Sequence, residues 1–209
     1  VHHGDLFLVL GKVGSGKSTL LSTLLNEVGM RQGSHVRIAG KVAYCAQQPW
    51  IQNLNLRQNI LFGLPYDAKR YAHAVTSASL WEDFMQLPDG DATEIGERGL
   101  TLSGGQKARV ALARAVYADA DIYLLDDVFS AVDAHVALEL AKSCIIGALQ
   151  KKTRVLVTHA TGLLHRLAKD ESSKNRCKIV IMENGKIKHV GTYDEIMAMG
   201  LDVTSISRS

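Results

Sequence analysis

Leu6-Phe7-Leu8-Val9-Leu10, followed at once by Gly11-Lys12-Val13-Gly14-Ser15-Gly16-Lys17-Ser18-Thr19, decides the fold. An unbroken apolar run of strand length calls for burial on both faces, the habit of a strand inside a parallel sheet. The glycines behind it let consecutive backbone N–H groups converge on one anion. The next segment carries Leu20, Leu21, Leu24 and Leu25 at helical spacing and predicts a helix over residues 18–28, with Gly29 at its C-terminal end and its positive end turned toward the loop. Lys17 adds a full charge for β- and γ-phosphates, and the Ser18 hydroxyl, with Thr19 next to it, suits Mg2+. Strand, glycine loop and helix together predict a phosphate-cradling loop over residues 11–18.

Three further apolar segments, residues 42–45, 122–125 and 155–158, are separated by long helical or mixed stretches. That pattern makes the fold class α/β, a parallel sheet covered by helices. Toward the end, residues 179–182 and 187–190 flank Glu183-Asn184-Gly185-Lys186, where Asn-Gly supplies the positive φ angles of a tight hairpin. Thr192 and Glu195 then form a capping box for a closing helix. Helical stretches over 67–79 and 80–86 occur without a convincing buried strand, so residues 53–116 read as a helical lobe inserted into a core of residues 1–52 and 117–209, the whole being one domain. Residues 169–178 are polar and mixed in charge. They read as a surface loop, the alternative being a phosphorylatable insert using Ser172 and Ser173.

Composition narrows the function. With 209 residues, 46% hydrophobic and 22% charged, the chain has the material for one substantial core and is neither a disordered tail nor a coiled coil. The 24 basic and 21 acidic residues leave a net charge of +3 with the signs interspersed, so no nucleic-acid partner is expected. Cys45, Cys144 and Cys177 show no paired metal-ligand spacing and suit a reducing compartment, which places the chain facing cytosol. The longest apolar runs are far shorter than the roughly 18 residues of a membrane span.

Two more constellations carry chemistry. The apolar run at 122–125 ends in Asp126-Asp127, and a carboxylate at the end of a buried strand beside a phosphate loop is where a metal finds a second anchor, which makes Asp126 the metal candidate. Leu102-Ser103-Gly104-Gly105-Gln106 opens a helix over 107–118, with Ser103 and Gln106 in capping-box relation. A cap explains the serine and glutamine but not the glycines, which weaken a first helical turn by roughly 1 kcal/mol each. A second phosphate is the natural reason for a bare backbone there.

Together these motifs resemble the nucleotide-binding domain of ATP-binding cassette (ABC) transporters over nearly the whole chain. The resemblance implies a P-loop NTPase core of RecA type, with ATP and Mg2+ as cofactors. By similarity Gln47 contacts Mg2+ and the attacking water and starts the surface that touches the membrane domains. Ser130-Ala131-Val132-Asp133 matches the loop that crosses a dimer interface, and His159 matches the switch histidine near the γ-phosphate. Four stretches, Gln48-Pro49-Trp50-Ile51-Gln52-Asn53, Asn59-Ile60-Leu61-Phe62-Gly63, Glu94-Ile95-Gly96-Glu97-Arg98-Gly99 and Ala131-Val132-Asp133-Ala134-His135-Val136, resemble the multidrug-resistance-associated subfamily C, most closely its first cassette. Such a cassette pairs head to tail with a second one in the same polypeptide. The pair works at the cytosolic face of a membrane with transmembrane domains, and exports organic anions, conjugates or drugs. The alternative within the subfamily is a nucleotide-sensing cassette that regulates a channel. Soluble cassettes of DNA repair or translation are disfavoured by the lack of a coiled-coil insertion or basic patch.

Three departures from the family pattern matter. Asp127 stands where most cassettes have the glutamate that polarises water, and its carboxylate should fall about 1.5 Å short, so hydrolysis at this cassette's own site is expected to be slow. The aromatic that stacks on adenine lies about 25 positions before the loop lysine in the family, and only 16 residues precede Lys17, so the chain is read as starting inside the domain, with an N-terminal edge missing. Ala46 replaces the proline common before the family's glutamine.

Overall fold

A computed structural model describes residues 2–29, 35–96, 101–171, 176–201 and 203–206. Glu97, Arg98 and Gly99 of the subfamily stretch, and Ser172 and Ser173 of the polar loop, lie outside the described residues. The strands are β1 (Leu6–Leu10), β2 (Val42–Cys45), β3 (Ile122–Asp126), β4 (Thr153–Val157), β5 (Cys177–Glu183) and β6 (Lys186–Gly191), each within two residues of the bounds read from sequence. They form one six-stranded sheet in the order β2-β3-β4-β1-β5-β6, parallel throughout except for the antiparallel β5–β6 hairpin.

β1 is paired in parallel on both sides, with β4 and β5. Leu6, Leu8 and Leu10 point into the larger core, and Val9 into a second core with Leu21, Leu124 and Val157. Its unbroken apolar run is thus explained by burial on two faces. At the hairpin, Asn184 and Gly185 take φ 48° and 72°, the positive angles that an Asn-Gly turn supplies. Among the described residues no helix is long and apolar enough to cross a membrane.

The helices are α1 (Lys17–Leu24), α2 (Leu56–Leu61), α3 (Ala68–Ser77), α4 (Trp81–Met85), α5 (Gly104–Ala118), α6 (Ala134–Leu140), continued as a π-helical segment Ala141–Ala148, then α7 (Thr161–Lys169), α8 (Tyr193–Ala198) and α9 (Val203–Ile206). The helix predicted over residues 18–28 stops earlier, and Gly29 is not its terminator. Asn26 takes the left-handed conformation (φ 60°), with its N–H donating to Thr23 O and the Glu27 N–H donating to Ser22 O. Asparagine tolerates that region by bonding locally, so it does at residue 26 what glycine usually does at a helix end. The capping boxes at Ser103/Gln106 and Thr192/Glu195 are both formed, and a further one at Asn55/Gln58 opens α2. Cys45, Cys144 and Cys177 are buried free thiols, and burial pushes Cys45 and Cys177 up to about 12.

A single carboxylate ties the helical region together. Asp91 accepts two hydrogen bonds from the Arg57 guanidinium at 2.8 and 2.9 Å and one from the Tyr71 hydroxyl at 2.7 Å. Burial alone would raise the Asp91 carboxyl, but these partners outweigh it and hold it below the usual carboxylate range. Asp91→Asn is expected to cost about 1–2 kcal/mol at neutral pH. Because the folded pKa is the lower one, this contribution is complete above the unfolded value of about 4 and is lost as pH falls through the folded value. Urea unfolding midpoints of wild type and Asp91→Asn should therefore separate at pH 7 and converge in acid; coincident midpoints at pH 7 contradict this assignment.

Candidate functional site

Parallel pairing brings the C-terminal ends of β1, β2, β3 and β4 to one edge of the sheet, where ligands bind in open α/β folds. From that edge emerge Gly11, Gln47, Asp126-Asp127 and His159. A cavity of about 240 Å3 lies there, lined by Val13, Gly14, Gly16, Lys17, Ser18, Thr19, Gln47, Asp126, Asp127, Val157 and His159. Most of the site residues expected from sequence thus meet at one place. Gly11, Lys12 and Ser15 belong to the same loop without lining this cavity, and Leu102, Ser103, Gly104, Gly105, Gln106 and Asp133 lie apart from it.

The loop is shaped by close approach. A Cβ on Gly11 would stand 2.4 Å from Met182 O, and one on Gly16 would stand 3.3 Å from Gly185 Cα. Gly14 has φ 79° with nothing within 4 Å of a built Cβ, so its backbone faces open space. Lys17 is only 6% exposed. Its ammonium donates to Gly11 O at 2.7 Å and Lys12 O at 2.8 Å, using two of its three N–H groups. Burial lowers its pKa, and Asp127 and Asp126 pull the other way.

Burial raises the Asp126 carboxyl, with Asp127 adding to the rise and a hydrogen bond from Ser18 and the charge of Lys17 opposing it. Asp127 sits at φ 47°, its N–H donating to Val157 O at 2.9 Å. Its Oδ1 accepts from His159 N at 3.3 Å, and its Oδ2 accepts from Gln47 Nε2 at 3.5 Å, the outer limit of a hydrogen bond. Among the described residues no group of three or more His, Cys, Asp or Glu side chains is placed to hold a metal unaided. Ser18, Asp126 and the Gln47 carbonyl form an oxygen donor set, which suits Mg2+ shared with phosphate oxygens rather than a fully protein-held ion. These residues could hold a triphosphate and Mg2+: Lys17, the loop N–H groups and the start of α1 would take the phosphates, and Ser18 and Asp126 the metal.

The second constellation is a helix terminus. Ser103 caps α5, accepting through Oγ from Gln106 N at 3.2 Å, while Gln106 Oε1 accepts from Ser103 N at 2.9 Å. A Cβ on Gly105 would stand 3.0 Å from Ala131 O and 3.4 Å from Val132 Cγ1, whereas one on Gly104 would make only an ordinary contact at 3.5 Å. Packing inside the chain thus supplies a reason for Gly105 that sequence reading did not see, and leaves Gly104 without one. Asp133 caps α6, accepting from His135 N and Val136 N at 2.9 and 3.0 Å, and these bonds hold its pKa down.

Two contributors were missed from sequence. Gly185 N donates to Ser15 O at 3.0 Å, so the tip of the β5–β6 hairpin forms a wall of the phosphate loop. Asp83 on α4 accepts from Gln106 Nε2 at 3.0 Å. The Asn-Gly signal gave the turn but not its neighbour, and no periodicity marked Asp83.

A glycine loop between a buried parallel strand and a helix, with a metal-suited aspartate on the strand two places along the sheet, defines a P-loop nucleotide-binding fold. The chain belongs to the ABC transporter family, whose model matches residues 1–130. It is 52% identical over 195 residues to multidrug resistance protein mrp-7 of Caenorhabditis elegans, covering 92% of this chain and 12% of that protein. It is 48% identical over 206 residues to ATP-binding cassette sub-family C member 4 of Homo sapiens (99% and 15%), and 46% identical over 201 residues to ABC transporter C family member 9 of Arabidopsis thaliana (96% and 13%). These relatives are of subfamily C, and the chain spans only 12–15% of their length.

The loop geometry separates two glycines. Gly11→Ala should lower stability by about 1–3 kcal/mol, because a backbone carbonyl must move. Gly14→Ala should cost only the positive-φ penalty of about 1 kcal/mol. Urea unfolding of the two variants checks the order, and equal losses would remove the Met182 contact as the reason for glycine at residue 11.

Proposed function

We propose that this chain is an ATP-binding cassette that binds Mg·ATP and powers export across a membrane, and that it works as half of a head-to-tail pair. The single observation that carries the pairing is the division of its motifs. The cavity at Lys17 is lined by none of residues 102–106, so the turn at Ser103 is available to a nucleotide held elsewhere. Each nucleotide would be held by the loop of one cassette and by the Ser103 turn of the other, with Asp133 in the crossing loop. The second cassette, in the same polypeptide, and the transmembrane domains are the partners this reading requires. Residues 53–116 act as a helical lobe on the core of residues 1–52 and 117–209, and the chain sits at the cytosolic face of the membrane.

A face suited to the membrane domains supports the same reading. Trp50 is 62% exposed and Phe62 47%, and with Tyr44, Pro49 and Arg114 they line a cavity of about 360 Å3 just beyond Gln47. Exposed aromatics beside a concave surface mark an interaction site.

At the nucleotide, Lys17 neutralises phosphate charge from a fixed position and the loop N–H groups orient the phosphates. Mg2+, when bound, neutralises charge on phosphate oxygens, and Ser18 and Asp126 would hold it. Gln47 and His159 stand at the same cavity edge, one to orient water and one to face the terminal phosphate. Asp127 is poorly placed to reach an attacking water. It is one methylene shorter than glutamate, and both of its oxygens already accept hydrogen bonds from Gln47 and His159. Slow hydrolysis at this cassette's own site follows, while its Ser103 turn serves the partner's. This asymmetry matches the first cassette of a subfamily C exporter.

With the partner cassette present, Asp127→Glu should raise ATP turnover; an unchanged rate removes the short-carboxylate account and favours a nucleotide-sensing cassette of a channel. Lys17→Ala should weaken Mg·ATP binding at least about tenfold, the loss of one charge-assisted contact. Isothermal titration calorimetry measures it, and unaltered affinity takes the loop out of the mechanism.

A further inference from the structure

The Gln106 side chain is used entirely within the chain. Its Oε1 accepts from Ser103 N and its Nε2 donates to Asp83 Oδ1. A side-chain amide has one accepting and one donating end, and an ionised carboxylate can only accept. Asp83 therefore decides which end of Gln106 turns toward Ser103. Were the amide reversed, two donors would face each other and the capping box would open.

Asp83 is itself gripped by Arg109, one turn along α5 from Gln106. Arg109 NH1 lies 2.8 Å from Asp83 Oδ2 and NH2 donates to Oδ1 at 3.0 Å, with the two side chains only 16% and 14% exposed. Oδ1 thus takes a hydrogen bond from each of Arg109 and Gln106, while Oδ2 holds the guanidinium by charge. The guanidinium also donates to Ser79 O at 2.7 Å, and Ser79, at φ 51°, donates through its hydroxyl to Glu139 Oε1 on α6 at 2.7 Å. The turn at Ser103 is thus fastened twice to the same neighbour. Gly105 lies against residues 131–132, and Gln106 is linked through Asp83, Arg109 and Ser79 to the helix that Asp133 caps.

We infer that Asp83 is a positioning residue for the turn at residues 103–106: held by Arg109, it locks the Gln106 amide so that the Ser103 hydroxyl and the first-turn N–H groups of Gly104 and Gly105 meet the partner cassette's nucleotide in one geometry. The inference rests on the head-to-tail reading above. Asp83 lines no part of the cavity at Lys17, so its effect falls on the partner's site and not on this chain's own.

The test is ATPase kinetics of the full-length transporter carrying Asp83→Ala, Gln106→Ala, the double variant and Ser103→Ala, with thermal unfolding of each preparation. Asp83→Ala should lower kcat about tenfold, about 1.4 kcal/mol, with KM for ATP changed less than about twofold. The double variant should be no slower than Gln106→Ala, because Asp83 acts through that amide. Asp83→Asn, which keeps the shape and removes the charge, should fall in the same direction and serves if the alanine variant does not fold. Additive losses in the double variant, or losses of kcat that only track the unfolded fraction, overturn the positioning role. A slow Ser103→Ala beside full-speed Asp83 variants overturns it alone. Full turnover in Ser103→Ala instead overturns the head-to-tail reading, and the inference falls with it.

Discussion

The parallel pairing of β1 on both of its edges is the constraint from which the site follows. A strand with a neighbour on each side and a core on each face has no freedom in where its chain leaves the sheet. The glycine loop must emerge between β4 and β5, beside the ends of strands running the same way. Asp126 and Asp127 arrive from β3 and His159 from β4, and each is delivered by register rather than by local sequence. The burial of Lys17 is tolerable in this frame because two carboxylates stand opposite an ammonium that is already bonded to the loop's own carbonyls.

Asp127 shows how one side chain can hold a site together. Its carboxylate joins the segment after β2, through Gln47, to the segment after β4, through His159. Both of its oxygens are thereby turned to the walls of the site. The turn at Ser103 has the opposite character. Its capping groups are satisfied by neighbours in the same helical region, and among the described residues none takes up the Gly104 and Gly105 N–H groups.

The architecture was largely legible because its signals are local. Apolar runs bounded by glycine and acidic residues located the strands within a residue or two, and the side-chain pattern at Ser103, Gln106, Thr192 and Glu195 gave caps that the structure forms. The end of α1 was misread because glycine is the expected terminator and Asn26 took the left-handed position first. What no sequence pattern carried were the contacts between distant segments. Gly185 meets Ser15, Asp83 meets Gln106 and Gly105 meets Ala131, pairs with neither a shared period nor a shared motif. Gly105 is the instructive case, since the residue type was rightly marked as unusual while the backbone pressing on it belonged to a loop encoded downstream.

The wall that the β5–β6 hairpin builds against the phosphate loop carries a consequence for biogenesis. β1 and its loop are translated well ahead of the strands that flank β1, which begin at Thr153 and Cys177, and of the tip that touches Ser15, Gly185. β1 must go without both of these neighbours until residues 153–183 have emerged, exposing a very apolar stretch of chain in the meantime. Nascent-chain chaperones would find their target in residues 6–10, and a ribosome stalled before residue 185 would hold a phosphate loop without its hairpin wall.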